Sequence, residues 1–212
     1  MRKLILKMSI SLDGFVGGPN GEIDWLFKSI DENVEAWLVE TLWQAGLHIM
    51  GSRTYHDMVS YWPVSMEPIA GPMNAIPKVV FSRKGDVKVT GGGGTTTALK
   101  DAMKDRPVEK GGSRSLGNWA DTRVASGNLQ EEVLRLKQEP GKDIYAHGGA
   151  GFAQSLVGQG LVDEYQLLVH PVALGKGLPL FAGLQTSLGL QLVRTTLFKS
   201  GVMGKIYRPI VS

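Results

Sequence analysis

Tyr145-Ala-His-Gly-Gly-Ala-Gly-Phe152 joins the end of a strand to paired glycines and the start of a helix. The strand is expected over residues 143–147. Phe152, Leu156 and Val157 repeat at helical spacing behind the glycines, and Gly158 and Gly160 stop the helix. A helix start preceded by residues without Cβ atoms lets an anion approach bare backbone N–H groups, which the helix dipole also favours. The stretch reads as a phosphate or pyrophosphate seat, or else as a tight strand-to-helix turn. A standard Rossmann fingerprint is not met, because Gly149-x-Gly151 is followed by Gln154 where a third glycine would stand.

At 212 residues and 42% hydrophobic content, the chain is long enough for one domain around one substantial core. It has no cysteine, which excludes disulfides and thiolate chemistry. His48, His56, His147 and His170 have no metal-ligand spacing, so no metal is expected. The net charge of +3 is spread without a basic run, which suits small anions better than a nucleic-acid backbone. Neither the uninterrupted apolar core of a signal peptide nor a membrane span is seen, and a soluble cytoplasmic protein is expected.

Working outward from the glycines, residues 3–12 alternate, with Leu4, Leu6, Met8, Ile10 and Leu12 on one face and Lys3, Lys7, Ser9 and Ser11 on the other. That is a strand, ending at Asp13-Gly14. The glycine-rich loop behind it delivers Asp24-Trp25-Leu26, which reads as a substrate mouth or as an Asp-Gly turn with a core tryptophan. A helix follows from Ile30 to Ala45, with Ser29 or Asp31 as cap and Gly46 as stop. A strand at 47–50 then enters Gly51-Ser-Arg-Thr-Tyr55 and a second helix. This junction offers a cation, a hydroxyl and free N–H groups together, or merely an ordinary cap beside a solvated Arg53.

Pro63, Pro68, Pro72 and Pro77 predict an irregular connection. A strand at 78–82 ends at Arg83. Residues 84–116, with Gly91 to Gly94 and almost no large apolar side chain, read as a flexible surface insertion. A short strand at 122–126, a helix from 129 to about 137 and a strand at 163–170 follow. Strands at 190–198 and 202–208 flank Ser200-Gly201 as a hairpin. The order predicts a three-layer α/β fold: a mixed, mainly parallel sheet with helices on both faces and a C-terminal antiparallel hairpin. Ligands bind such sheets at the carboxyl ends of the strands, where Asp13, Gly51 and Gly148 all fall.

Ser11-Leu-Asp-Gly14, Met50-Gly-Ser-Arg-Thr-Tyr55, Phe81-Ser-Arg83, His147-Gly-Gly-Ala-Gly151 and Gly175-Lys-Gly-Leu-Pro-Leu-Phe181, in this order, resemble the dihydrofolate-reductase-like superfamily. Within it the chain is most similar to stand-alone proteins of the bacterial riboflavin-biosynthesis reductase (RibD C-terminal domain) family. The resemblance covers the chain except for residues 84–116. It implies an NADPH-dependent reductase acting on a small polar heterocycle of pyrimidine or pterin type, and a homodimer. The alternatives are a true dihydrofolate reductase or a catalytically silent nucleotide-binding module.

Carried onto this sequence, Gly51, Arg53 and Thr54 resemble the segment that holds the cofactor phosphates. Ser82 and Arg83 resemble the pair near the 2′-phosphate. Gly148 and Gly149 resemble the diglycine, often cis, that meets nicotinamide and pyrophosphate, with Ala150, Gly151 and Phe152 opening the pyrophosphate helix. Asp13 matches the acidic position beside the substrate, to orient it or relay a proton. Trp25 and Tyr55 are expected to wall the pocket. The family's Gly-Arg-x-Thr is Gly51-Ser52-Arg53-Thr54 here, so one phosphate cation is missing or displaced. Asp31 lies near the place of the buried carboxylate of the dihydrofolate enzymes.

Overall fold

The first strand, β1 (Leu4–Ser11), is buried on both sides of its alternation, and everything else is arranged around it. In the computed structural model, residues 1–85, 87, 104 and 117–210 are described. Behind β1 come α1 (Asp24–Phe27), α2 (Glu32–Leu42), β2 (Leu47–Gly51), α3 (Ser52–Tyr61) and α4 (Ala70–Ala75). Then follow β3 (Lys78–Phe81), β4 (Arg123–Ala125), α5 (Leu129–Gln138), β5 (Ile144–Ala146), α6 (Ala150–Gly158), β6 (Glu164–His170), β7 (Leu190–Leu197) and β8 (Met203–Pro209). The expected insertion at 84–116 falls for the greater part outside the described residues.

The eight strands form one sheet in the order β4-β3-β2-β5-β1-β6-β8-β7. The six strands from β4 to β6 run parallel, and β8 and β7 run antiparallel beyond them. The three-layer, mixed and mainly parallel sheet is therefore the fold observed. Strand alternation here separates two cores rather than core from solvent. Leu4, Leu6, Leu47, Ile49 and Val79 pack with Val133 and Leu136 of α5 and Ala153 and Leu156 of α6. Ile5, Met50, Val80 and Tyr145 pack on the other face with Tyr55 and Val59 of α3, Met73 of α4 and Trp119. Val34 of α2 meets Leu168 of β6 and Val202 there as well.

Local sequence explains the helix ends. Asp31 caps α2 by accepting from Val34 N at 2.9 Å, and Asn128 caps α5 by accepting from the Gln130 and Glu131 amides. α3 and α6 each begin after a glycine, Gly51 and Gly149, and no side chain caps either. The connection containing the four prolines differs from the expected irregular loop. Trp62–Val64 forms a 3-10 turn and Ala70–Ala75 a short helix, since prolines are tolerated in the first turn of a helix. The hairpin also differs in one respect. β8 is the inner strand and β7 the edge, so Ile206 and Tyr207 lie between neighbours, while Leu192 and Val193 of β7 are exposed.

Beyond β1 and β6 two loops are laced into a ribbon: Val16 donates to Leu178 O at 2.9 Å, Leu178 to Gly17 O at 2.8 Å and Leu180 to Gly14 O at 3.0 Å. A Cβ on Gly177 would fall on the Gly17 carbonyl oxygen and come within 3.2 Å of the Phe15 ring. Backbone cannot give way as a flexible side chain can. Gly177→Ala is expected to destabilise the protein by about 1–3 kcal/mol, as other overpacked sites do. Gly158→Ala, where nothing lies within 4 Å of the new Cβ, should leave the melting temperature level or raise it. Thermal unfolding of the two variants side by side checks this.

Candidate active site

The sheet order brings three glycine and acidic junctions side by side. β2, β5 and β1 are neighbours, so Gly51, Gly148 and Asp13 lie at three adjacent carboxyl ends, with Ser82 and Arg83 one strand further out beyond β3. Three inter-strand steps of about 4.8 Å give an edge of roughly 14 Å, long enough for an extended dinucleotide to lie along it.

The two uncapped helix starts meet at this edge. A Cβ on Gly149 would come to 3.1 Å from the Thr54 hydroxyl, and one on Gly51 would come to 3.2 Å from Phe152 Cβ. Thus the first turns of α3 and α6 face each other with only glycine between them. Phe152 stacks against Phe81 at 5.1 Å between ring centres, tying α6 to the end of β3. Gly148 and Gly149 are joined by a cis peptide bond, and Met8 Cε lies 3.4 Å from where a Gly148 Cβ would be. At Gly151 a Cβ would meet nothing within 4 Å, so backbone of the first turn of α6 lies open. Bare N–H groups and the positive ends of two helices of ten and nine residues make a fit for diphosphate.

Arg53 and Arg83 are exposed, and among the described residues neither is engaged in a hydrogen bond or ion pair. Ser82 is buried directly behind Arg83, its amide bonded to Ala125 O at 3.0 Å. The serine thus fixes the backbone from which the arginine projects.

Asp13 is committed to structure. Its carboxylate accepts from Ser11 Oγ at 2.6 Å, Gly175 N at 2.7 Å and Leu174 N at 3.1 Å. The Ser11 hydroxyl first, and the two amides after it, hold the carboxyl at about 2, below its ordinary 3.8. A group so strongly ionised is no proton donor at neutral pH. Asp13 instead anchors the loop after β6 to the end of β1. Its folded pKa is depressed, so the stability it contributes is present above pH 4 and lost as pH falls toward 2. Asp13→Asn should lower the melting temperature at pH 7, and the gap from the parent should close in melts repeated near pH 2.

Two expected pocket walls are placed elsewhere. Tyr55 is wholly buried in the α3 core with its hydroxyl donating to Trp119 O at 2.9 Å, because its position in α3 turns it toward the sheet. Trp25 is also buried: its indole N–H donates to Glu22 O at 3.0 Å and its ring stands edge-on to His170 at 5.4 Å. It is the core tryptophan of that loop. Asp31 spends its carboxylate on Val34 N and Ser200 N, which leaves no buried acid of the dihydrofolate type at that place.

Basic groups are also buried on the α2-covered face, where no motif marks them as a group in the sequence. Lys7 lies with its ammonium 4.3 Å from the Trp37 ring centre, and the His48 and His147 rings are 4.6 Å apart. Burial pulls Lys7 down to about 7 and, with the charge of Lys7, His147 down to about 3. His48 is pushed well below its usual range by burial and by these neighbours. The available signal was a lysine at an alternating position of a strand covered on both faces.

Residues 2–203 match the sequence profile of the RibD C-terminal domain. The chain belongs to the RibD C-terminal domain family. Over 208 residues it is 31% identical to the uncharacterized protein YyaP of Bacillus subtilis, covering 97% of this chain and 94% of YyaP. Its fold is shared with Acinetobacter baumannii RibD at a TM-score of 0.64 and 19% identity, over 100% of this chain and 59% of that one. It is shared too with a dihydrofolate reductase from Enterococcus faecalis complexed with NADP(H), at a TM-score of 0.55 and 11% identity, over 98% and 96% of the two chains. Among the described residues no cluster of side chains is suited to a metal ion, and no helix is long and apolar enough to cross a membrane.

Proposed function

We propose that this RibD-family chain is an NADPH-dependent reductase that passes hydride to a small polar heterocycle of pyrimidine or pterin type, as in reduction of 5-amino-6-(5-phosphoribosylamino)uracil. The observation that carries this reading is the convergence of the uncapped α3 and α6 starts across Gly51, Thr54 and Gly149. NADPH, when bound, supplies the hydride. Gly51, Thr54, Ala150, Gly151 and Phe152 would hold its diphosphate, Gly148 and Gly149 would border the nicotinamide, and Ser82, Arg83 and Arg53 would hold the 2′-phosphate.

The protein's own contribution is positioning. Asp13 fixes the loop that closes the β1 end of the crevice. Lys7, buried and close to neutrality, is the one basic group of β1 able to donate a hydrogen bond or a proton to a substrate heteroatom. The use of the Asp31 carboxylate on two backbone amides, with no other acid at that place among the described residues, favours this reading over a true dihydrofolate reductase. Following nicotinamide absorbance with a panel of pyrimidines, pteridines and carbonyl compounds tests it. Oxidation with a uracil-type compound supports it, oxidation with dihydrofolate decides for the dihydrofolate reductase, and tight cofactor binding without oxidation by any compound decides for a silent module.

The family resemblance and the exposed apolar side chains of the edge strand, Leu192, Val193 and Leu197, support a homodimer built through β7. Light scattering at micromolar concentration should return twice the 22.9 kDa chain mass. A single-chain mass would contradict it.

A further inference from the structure

On the face of the sheet covered by α2, three neighbouring strands each turn one basic side chain inward. Lys7 comes from β1, His147 follows β5 and His48 comes from β2, in the adjacent order β2-β5-β1. They are 8%, 7% and 0% exposed. The Lys7 ammonium, both nitrogens of His48 and Nε2 of His147 are buried without any hydrogen-bond partner. Among the described residues, burial, one another and Lys78 act on their ionisation.

Three acids of the neighbouring elements are committed elsewhere. Asp31 caps α2, Asp13 holds the 174–175 loop, and Glu164 is paired with Arg208 at 3.0 Å and with Gln166. Folded proteins seldom leave several buried polar groups unsatisfied side by side, so such a group is a place where a ligand can complete the hydrogen bonding. Lys7 can offer a proton and positive charge and each neutral imidazole can offer one N–H, and the group borders Gly148 through His147. A carboxylate in this place would select a ring that presents N–H donors; these side chains select the opposite.

We propose that Lys7, His147 and His48 form a binding site for a planar oxyanion of the substrate, a carboxylate or an ionised imide, beside the Gly148–Gly149 turn. The proposal rests on the reductase reading, because that reading puts the nicotinamide at the same glycines. Calorimetric titration of the protein saturated with NADP⁺ tests it. The probes are 5-nitrouracil, whose imide is ionised at neutral pH, uracil as the neutral form of the ring, benzoate as a simple carboxylate, and 2,4-diaminopyrimidine as a donor-faced ring.

5-Nitrouracil or benzoate should bind at least tenfold more tightly than uracil, and the diaminopyrimidine should not bind. Lys7→Met should abolish that preference and His147→Asn should weaken it about tenfold, both with NADP⁺ affinity unchanged. The proposal is overturned if neither anion binds, if the diaminopyrimidine binds as well as they do, or if Lys7→Met keeps the preference. Should NADP⁺ itself fail to bind, the reductase reading falls, and the same titrations on the cofactor-free protein decide the anion site separately.

Discussion

Arg83→Ala and Arg53→Ala are each expected to weaken NADPH binding roughly ten- to a hundredfold while leaving NADH nearly unchanged. A charge-assisted hydrogen bond contributes about 1.5–3 kcal/mol, and each 1.4 kcal/mol is about a factor of ten in affinity. Arg53 stands in the first turn of α3, directly after β2, and Arg83 stands two residues beyond the end of β3, the adjacent strand. Both are exposed and have no competing ion pair among the described residues, so each is available to a 2′-phosphate. NADH has no such group and loses nothing with either arginine. Because both contacts are exposed, rising salt should erode the NADPH preference of the parent more than that of the variants. Fluorescence titration of both cofactors on the three proteins gives the comparison. Ser52 stands where the family motif that this stretch resembles has an arginine, so Ser52→Arg is expected to widen the parent's preference.

Lys7→Met is expected to stabilise the protein at neutral pH, on the order of the 1–4 kcal/mol found when buried ion pairs give way to packed apolar side chains. The Lys7 ammonium is withdrawn from water with only the Trp37 ring beneath it, and burial alone lowers its pKa from 10.5 to about 7. The sign follows from proton counting. Between pH 7 and 10.5 the unfolded chain holds the proton and the folded chain has released it, so stability contributed through this group rises with pH across that window. The gain in melting temperature from Lys7→Met should therefore be largest at or below pH 7 and shrink toward pH 10. A variant less stable than its parent at pH 7 would mean that the lysine holds this face together. Stabilisation coupled to loss of ligand binding is the pattern of a group kept for function.

How far the residues themselves foretold this differs from element to element. The alternation of β1, the cap at Asp31 and the glycine junctions at Gly51 and Gly148 rest on local chemistry, so strands, helices and their order were readable along the chain. The neighbourhood of β2, β5 and β1 was not, because strand order depends on which crossovers pack together. The expectation that Asp13, Gly51 and Gly148 share an edge came from topology rules rather than from the residues. Tyr55 and Trp25 show the limit plainly. Both stand beside functional motifs in sequence, but a helix turns neighbouring side chains to different faces, and burial took both into packing. Lys7 shows the converse. Its alternation looked like an ordinary polar face, and only the covering of that face by α2 makes it a buried, partnerless base.

The central claim is that two facing helix starts and two arginines form a seat for NADPH. Titration of nicotinamide fluorescence with the unmodified protein tests it most directly. Saturable binding of both cofactors is expected, with NADPH at least ten times tighter than NADH at low salt. Equal affinity for the two would contradict the placement of Arg53 and Arg83, and no binding of either would contradict the seat itself.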